Sequence, residues 1–393
     1  MRRTTSIAVT GSFGKTTAKD CLGAILARKG PTVHSRRNSN GRWGVASTIL
    51  RVRPWHRYAV LEVGSDGPGN LFRGSLVIRP DVVLILCVGR THTQAYRDLD
   101  EIAKEKASLA RFMRRNGILV LNADDPRVKA MGADRSQRVV FFGTSATCHA
   151  RAEEVHAQWP DRLSFKAVWG GEECRVQTQL VGEHWLPSVL GALAVAASVG
   201  VGLKTAAAAV ATVAPYIGRM QPVTLPNGAV VLRDDYNGSI DSLQRAVEAL
   251  RTARARRRIL VISDCSDYRK KPRERMAQYA RMARASADVV VFLGERCDYG
   301  VERAEKEGMP AGAARGFHSF AEAVEYLRSE LRLGDLLLLR GLTMDHLARI
   351  YFGLLGEVGC AKTQCPEHIL CDRCRHLKFR PRPDAMRELS CAE

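Results

Sequence analysis

The stretch "SIAVTGSFGKTTAKDCLGAI", residues 6–25, constrains the fold of this chain more than any other feature. A short apolar run enters a turn carrying Gly11 and Gly14, passes Lys15, Thr16 and Thr17, and leaves in a helical pattern. Such a strand–turn–helix unit holds phosphate. The glycines let several backbone N–H groups converge on phosphate oxygens. The helix adds its positive N-terminal end, Lys15 a point charge, and the Thr16 hydroxyl a ligand for magnesium. Gly11, Ser12, Gly14, Lys15, Thr16 and Thr17 are therefore candidate nucleotide-binding residues. The longer G-x-x-x-x-G-K-[ST] spacing is not met, because Val9 stands where its first glycine would be. What stands is T-G-x-x-G-K-T-T. A glycine turn with a chance lysine is the plain alternative, and the flanking strand and helix weigh against it.

The rest of the chain repeats the alternation. "YAVLEV", "DVVLILCV", "GILVLN" and "RVVFFG" follow in the first half, then "AVVLRDD", "RILVIS", "DVVVFLG" and "DLLLLRG". Continuous apolar runs of this kind suit parallel strands buried on both faces. Amphipathic segments such as "LDEIAKEKASLARFMRR" lie between them, so the expected class is α/β with mostly parallel sheets. Residues 150–181 are more polar and read as an antiparallel extension of the first sheet. Pro215, Pro222 and Pro226 punctuate a domain break after an alanine-rich helical region. The boundaries expected are 1–218 for a central ATP-binding domain and 219–356 for a Rossmann-like α/β domain, with 357–393 a short Cys-rich tail.

The net charge of +19 raises the question of nucleic acid. No basic stripe is interleaved with aromatics, so an arginine-rich solvated surface is expected instead. No apolar run nears the roughly 18 residues of a membrane span, and nothing reads as a secretory leader. A cytoplasmic protein without a membrane partner is the expectation. Six of the eleven cysteines are scattered through the body, as buried residues in a reducing compartment would be.

Several segments, in order, resemble the Mur ligases, which add amino acids to peptidoglycan precursors, and most of all the branch that adds D-alanyl-D-alanine. "TGSFGKTTAK" is similar to their ATP loop, "NSNGRWGV" to their Asn-rich stretch, and "AVLEVGSDGPGNL" to a strand ending in a carboxylate. "RPDVVLILCVGRTHTQAYRDLDEIAKEKASL", "GILVLNADDP", "GEHWLPSVLGALAVAA", "IGRMQPV", "RDDYNGSIDSL" and "GDLLLLRG" continue the likeness over about residues 5–345. It implies a ligase that phosphorylates a carboxylate with ATP and lets an amine attack the acyl phosphate. Magnesium ions would spread charge in phosphoryl transfer. Hard cations need oxygen ligands, which makes Thr16 and Glu62 candidates for the first ion. The resemblance gives the second to His92 and to Lys106 as a carbamate, since an ammonium cannot ligate a cation. A loop histidine without a ligand role, and a solvated lysine between Lys104 and Glu105, are the plain alternatives. Arg219 resembles the family arginine that reaches the ATP phosphates. Asp234 resembles an acid near the ribose, with Arg233 in place of the aspartate before it. Either could instead form a salt bridge. His184 matches a helix start that contacts the nucleotide, although Trp185 and Ser188 replace its asparagines.

Two departures bear on substrate. The phosphate strand begins by Ser6, so the expectation is that the domain gripping a uridine nucleotide is missing and that the acid is not an ordinary UDP-muropeptide. The segment "LLRGLTMDH" keeps Arg340 but not the serine and arginine that follow in the family. In the tail, Cys360, Cys365, Cys371 and Cys374 are candidate zinc ligands, with C-x-x-C at its end and His368 and His376 nearby. A disordered tail and a redox pair are the alternatives, and without zinc so short a segment is expected not to fold.

The expectation is therefore an ADP-forming acid–amine ligase using ATP and Mg2+, with structural Zn2+ in the tail. Its substrates would be small or carrier-bound carboxylates and amines of a specialised peptide or natural-product pathway, with a protein partner held through the tail. The alternatives are an ATP-binding, zinc-bearing regulatory protein and a simple P-loop kinase.

Overall fold

The apolar runs become the parallel strands of two sheets, one in each of two units of the chain. The computed structural model describes residues 4–90, 95–133, 135–236, 240–263, 271–362, 365–367 and 369–385. Met1–Ala157 with Asp161–Ala214 forms the first unit, and Gln158–Pro160 with Pro215–Glu393 the second.

In the first unit the strands are β1 (Thr5–Thr10), β2 (Thr32–His34), β3 (Tyr58–Glu62), β4 (Val82–Ile85), β5 (Ile118–Asn122), β6 (Arg138–Gly143), β7 (Ala150–His156), β8 (Ser164–Trp169) and β9 (Glu172–Gln177). They form one sheet in the order β2-β3-β1-β4-β5-β6-β7-β8-β9. Pairing is parallel as far as β7 and antiparallel from β7 to β9, which matches the polar extension read from the sequence. Helices α1 (Lys15–Ala27), α2 (Arg42–Leu50), α3 (Asn70–Ile78), α4 (Leu99–Ser108), α5 (Pro126–Ala130), α6 (Leu186–Ser198) and α7 (Leu203–Val210) cover the sheet. Because both faces are covered, β1, β3 and β4 have no polar face to alternate. Val9 lies opposite Glu62, and Thr10 opposite Ile85, so the phosphate turn and the Glu62 carboxylate leave the sheet at one edge. That is the carboxyl edge, where parallel α/β sheets bind ligands.

The second unit has β10 (Gln221–Thr224), β11 (Val230–Asp234), β12 (Arg257–Ser263), β13 (Val289–Leu293), β14 (Ala314–Phe317) and β15 (Asp335–Arg340), ordered β10-β11-β15-β12-β13-β14. Only β10 runs antiparallel in this sheet. Its helices are α8 (Ile240–Arg251), α9 (Pro272–Ser286), α10 (Cys297–Lys306), α11 (Phe320–Glu330) and α12 (Ala348–Leu355). No helix among the described residues is long and apolar enough to cross a membrane.

The Cys-rich segment packs against the core of the second unit. Strand β16 (Gly356–Glu357) pairs with β17 (Arg380–Pro381), and Cys371, Leu377 and Ala385 join the apolar core of the second unit. The guanidinium of Arg233, itself buried, forks onto Asp372 at 2.6 and 2.9 Å and onto Asp235 at 3.2 and 3.0 Å. Tyr351 and Phe352 stack on it at 4.6 and 5.8 Å. Cys360, Cys365, Cys371 and Cys374 are free thiols, and no three of them bring their sulfurs within 4.8 Å of one another. The tail packs onto an existing core, a source of order that a segment considered alone does not have. His368 lies outside the described residues. EDTA is therefore expected to leave residues 357–385 protected from limited proteolysis. Asp372→Ala should expose them, with a loss of at most about 3 kcal/mol because Asp235 still neutralises Arg233. Loss of protection on chelation alone would restore the zinc reading.

Candidate active site

Gly14 sits between β1 and α1 with φ +80°, a conformation that costs an L-residue about 1–2 kcal/mol. A Cβ there would lie 2.3 Å from the Ser188 hydroxyl, and one on Gly11 would lie 2.9 Å from Leu86. Both glycines are thus required by the backbone turn and its close packing. Ser188, which stands where the family has an asparagine, donates its hydroxyl to Gly14 O at 3.1 Å and props the turn from α6. Ser12 is tied to the loop after β4, donating to Gly89 O at 3.0 Å and accepting from Gly89 N–H at 2.8 Å. That loop runs on to His92, which lies outside the described residues. Lys15 Nζ curls back onto Gly11 O at 2.7 Å, poised over the turn where a phosphate would meet it.

Glu62 is completely buried at the end of β3. Its Oε1 accepts from Thr16 Oγ1 at 3.2 Å and from Asn40 Nδ2 at 2.8 Å, whereas Oε2 has no hydrogen-bond partner. A buried carboxylate oxygen without a partner is costly unless a cation fills the place. A carboxylate beside a threonine hydroxyl is the donor set a hard divalent ion takes. The residues present therefore fit the magnesium expected here.

The surroundings of Glu62 come from residues the motif reading did not single out. Its N–H donates to Ser35 Oγ at 3.0 Å. Buried Lys19, one turn beyond Lys15 on α1, donates to Ser35 O at 3.1 Å and Arg37 O at 2.7 Å and pairs with Asp20 at 2.6 Å. Lys19 thus fixes the loop that delivers Asn40. The i, i+4 spacing from Lys15 was the available signal, since it puts both lysines on one face of the helix.

Lys106 is buried on α4, not solvated between its charged neighbours. Asp98 caps this helix by accepting from Asp100 and Glu101 N–H groups at 2.9 and 2.8 Å. Glu105 points back to α3 and accepts from Gly69 and Leu71 N–H at 2.8 and 2.7 Å. Burial, reinforced by the Lys15 charge, pulls the Lys106 ammonium down to about 7. Near neutral pH a substantial fraction of this amine is unprotonated. His184, half-buried, lies in the short turn before α6 beside the Trp185 ring at 4.8 Å.

In the second unit Asp234 is buried, accepting from Met220 N–H at 3.2 Å and pairing with Arg340, which also donates to Ser242 Oγ at 2.7 Å. Arg340 thus has a structural partner, which explains a buried arginine at the end of β15. Arg219 lies against the rings of Tyr216 and Tyr236, at 5.7 and 5.1 Å.

A phosphate turn backed by a cation-ready carboxylate, on a sheet followed by a second α/β unit, is the arrangement of an enzyme that uses a nucleoside triphosphate. Two family models bear this out: the Mur ligase middle domain matches residues 9–196, and the Mur ligase glutamate ligase domain matches residues 218–342. The chain belongs to the Mur ligase family of ATP-dependent, ADP-forming ligases. Among its relatives is the UDP-N-acetylmuramoyl-tripeptide–D-alanyl-D-alanine ligase of Mycobacterium tuberculosis, 29% identical over 384 residues, covering 92% of this chain and 74% of that protein. The Escherichia coli K12 enzyme of the same name is 28% identical over 296 residues, covering 74% of this chain and 64% of that protein. The fold is shared with MurF from Acinetobacter baumannii, with a TM-score of 0.80 at 24% identity over 90% of this chain and 77% of that one. It is also shared with MurF from Thermotoga maritima in complex with ADP, with a TM-score of 0.77 at 20% identity over 89% and 79% of the two chains.

Proposed function

We propose that this protein joins the amine of a D-alanyl-D-alanine-type dipeptide to the terminal carboxylate of a muramoyl-linked peptide, through an acyl phosphate. This reading is favoured over a specialised pathway because relatives matched over most of the chain are named UDP-N-acetylmuramoyl-tripeptide–D-alanyl-D-alanine ligase. The observation that carries the reading is Glu62, buried beside Thr16 with one oxygen left for a cation. Magnesium held by Thr16 and Glu62 would neutralise phosphate charge during transfer. Gly11 to Thr17 bind and orient the ATP phosphates, and Lys15 turns from its own loop carbonyl to them. The substrate carboxylate oxygen attacks the γ-phosphorus and ADP leaves; the dipeptide amine then displaces phosphate to give the amide. Unprotonated Lys106 Nζ can add to carbon dioxide with loss of one N–H proton to solvent, and the resulting carbamate supplies the oxygens that an ammonium lacks.

The test is ADP release by the full chain with UDP-muramoyl-tripeptide and D-alanyl-D-alanine, with the product scored by mass as condensation with loss of water. ADP formation that requires both substrates is expected. ADP formation indifferent to the dipeptide, or a stable phosphorylated product, would overturn the assignment.

A further inference from the structure

We propose that Cys297, Asp298 and His318, at the carboxyl ends of β13 and β14, form a binding site for a borderline-soft divalent ion such as Zn2+. These residues play no part in the ligase chemistry above and lie just beyond the sheet of the second unit, on α10 and in the turn before α11. The Cys297 sulfur is 3.5 Å from His318 Nε2 and 3.7 Å from Asp298 Oδ1, and His318 Nε2 is 3.1 Å from Asp298 Oδ2. An ion with bonds of about 2.3 Å to sulfur and about 2.0–2.2 Å to nitrogen and oxygen sets tetrahedral ligand edges of about 3.3–3.6 Å. The Cys297 Sγ to His318 Nε2 edge lies within that range, and the Asp298 separations, measured to its two different oxygens, lie close to it. Asp298 turns one oxygen to the sulfur and the other to the imidazole, and one of them completes, with the sulfur and an imidazole nitrogen, a set within 4.8 Å of one another.

The scaffold holds this geometry in place. Strands β13 and β14 pair in parallel up to Leu293 and Phe317, and Gly294 N–H donates to Phe317 O at 3.0 Å. The turn carrying Cys297 and the turn carrying His318 are therefore bound to each other by the sheet. Gly316 makes the close approach: a Cβ there would lie 3.1 Å from Cys297 Cβ. Among the described residues this is the only group of three or more His, Cys, Asp or Glu ligand atoms within 4.8 Å of one another. The sulfur is buried, whereas His318 and Asp298 are exposed, so an ion enters from solvent and keeps a fourth position open to water or an outside ligand. Binding replaces the Sγ–H bond by an Sγ–metal bond and releases the proton to solvent. The bound ion would clamp the start of α10 to the loop before α11.

Equilibrium dialysis of the full chain against Zn2+, and Co2+ titration followed by the thiolate-to-cobalt charge-transfer band, test the site. Tail thiols contribute a background common to all variants, so the readout is a difference. Wild type is expected to take up one equivalent more than Cys297→Ser at low ion concentration and to show thiolate-to-cobalt absorbance in excess of that variant's. His318→Asn, a substitution at an exposed position, is expected to bind that equivalent at least about tenfold more weakly. Zn2+ should raise the melting temperature of wild type more than that of either variant. Equal stoichiometry and affinity in wild type and Cys297→Ser would overturn the proposal. If Cys297→Ser does not fold, unchanged binding by His318→Asn would overturn it equally.

Discussion

Replacing Glu62 with glutamine is expected to lower the rate of ADP formation about 10²–10³-fold, the cost of removing one electrostatic contact that stabilises a transition state. The substitution keeps the size of the side chain, and its carbonyl oxygen can still accept from Thr16 and Asn40 as Glu62 Oε1 does at 3.2 and 2.8 Å. What it removes is the negative charge, and it puts an amide where the partnerless Oε2 now lies. A buried carboxylate without its cation is costly, so the metal-free variant should melt no lower than metal-free wild type. The Mg2+ concentration for half-maximal rate should rise along with the fall in maximal rate. The measurement is ADP release against Mg2+ concentration at saturating ATP, beside a thermal melt. A variant with wild-type rate and wild-type Mg2+ requirement would remove Glu62 from the cation site.

The second large effect concerns Lys106. Burial and the Lys15 charge pull its ammonium from the ordinary lysine value down to about 7. Below that value the neutral amine falls about tenfold per pH unit, and with it the fraction able to form a carbamate. Activity should therefore have an acid limb centred near pH 7 that moves when dissolved carbon dioxide is varied. Lys106→Met should lose the carbon dioxide dependence and about 10²-fold or more in rate. Stability gives an independent sign. The folded pKa is lowered, so between about pH 7 and the ordinary lysine value the unfolded chain binds more protons than the folded one. Stability of the wild type, in buffer purged of carbon dioxide, should rise with pH through that window, and the Lys106→Met variant should lack this rise. A flat difference between the two across the window would show that Lys106 is solvated like an ordinary surface lysine.

Most strands of the parallel sheets were legible because each is a continuous apolar run between turn residues. The ones not read were β2, β10 and β14, each only three or four residues long. Each is an edge strand at the end of its sheet. An edge strand of one turn's length has too few buried positions to leave a pattern, and Arg315 and Gly316 in β14 carry no strand signal of their own. The phosphate turn was legible for the opposite reason: its chemistry is made by neighbours in sequence, from Gly11 to Thr17.

What brings Glu62 to Thr16 is the pairing of β1 with β3, between residues 46 positions apart. The amino-acid sequence by itself determined the α/β class, the phosphate turn and the order of the ligase segments, because local spacing and strand-length apolar runs encode them. Only the tertiary structure decided that Lys106 is buried, that Ser188 supports the turn and that Arg340 is committed to Asp234. It also decided that the Cys-rich segment packs onto a core, tied to it through Arg233 and Asp372. Burial and pairing depend on what the rest of the chain brings alongside, and a residue's own neighbours in sequence do not carry that information.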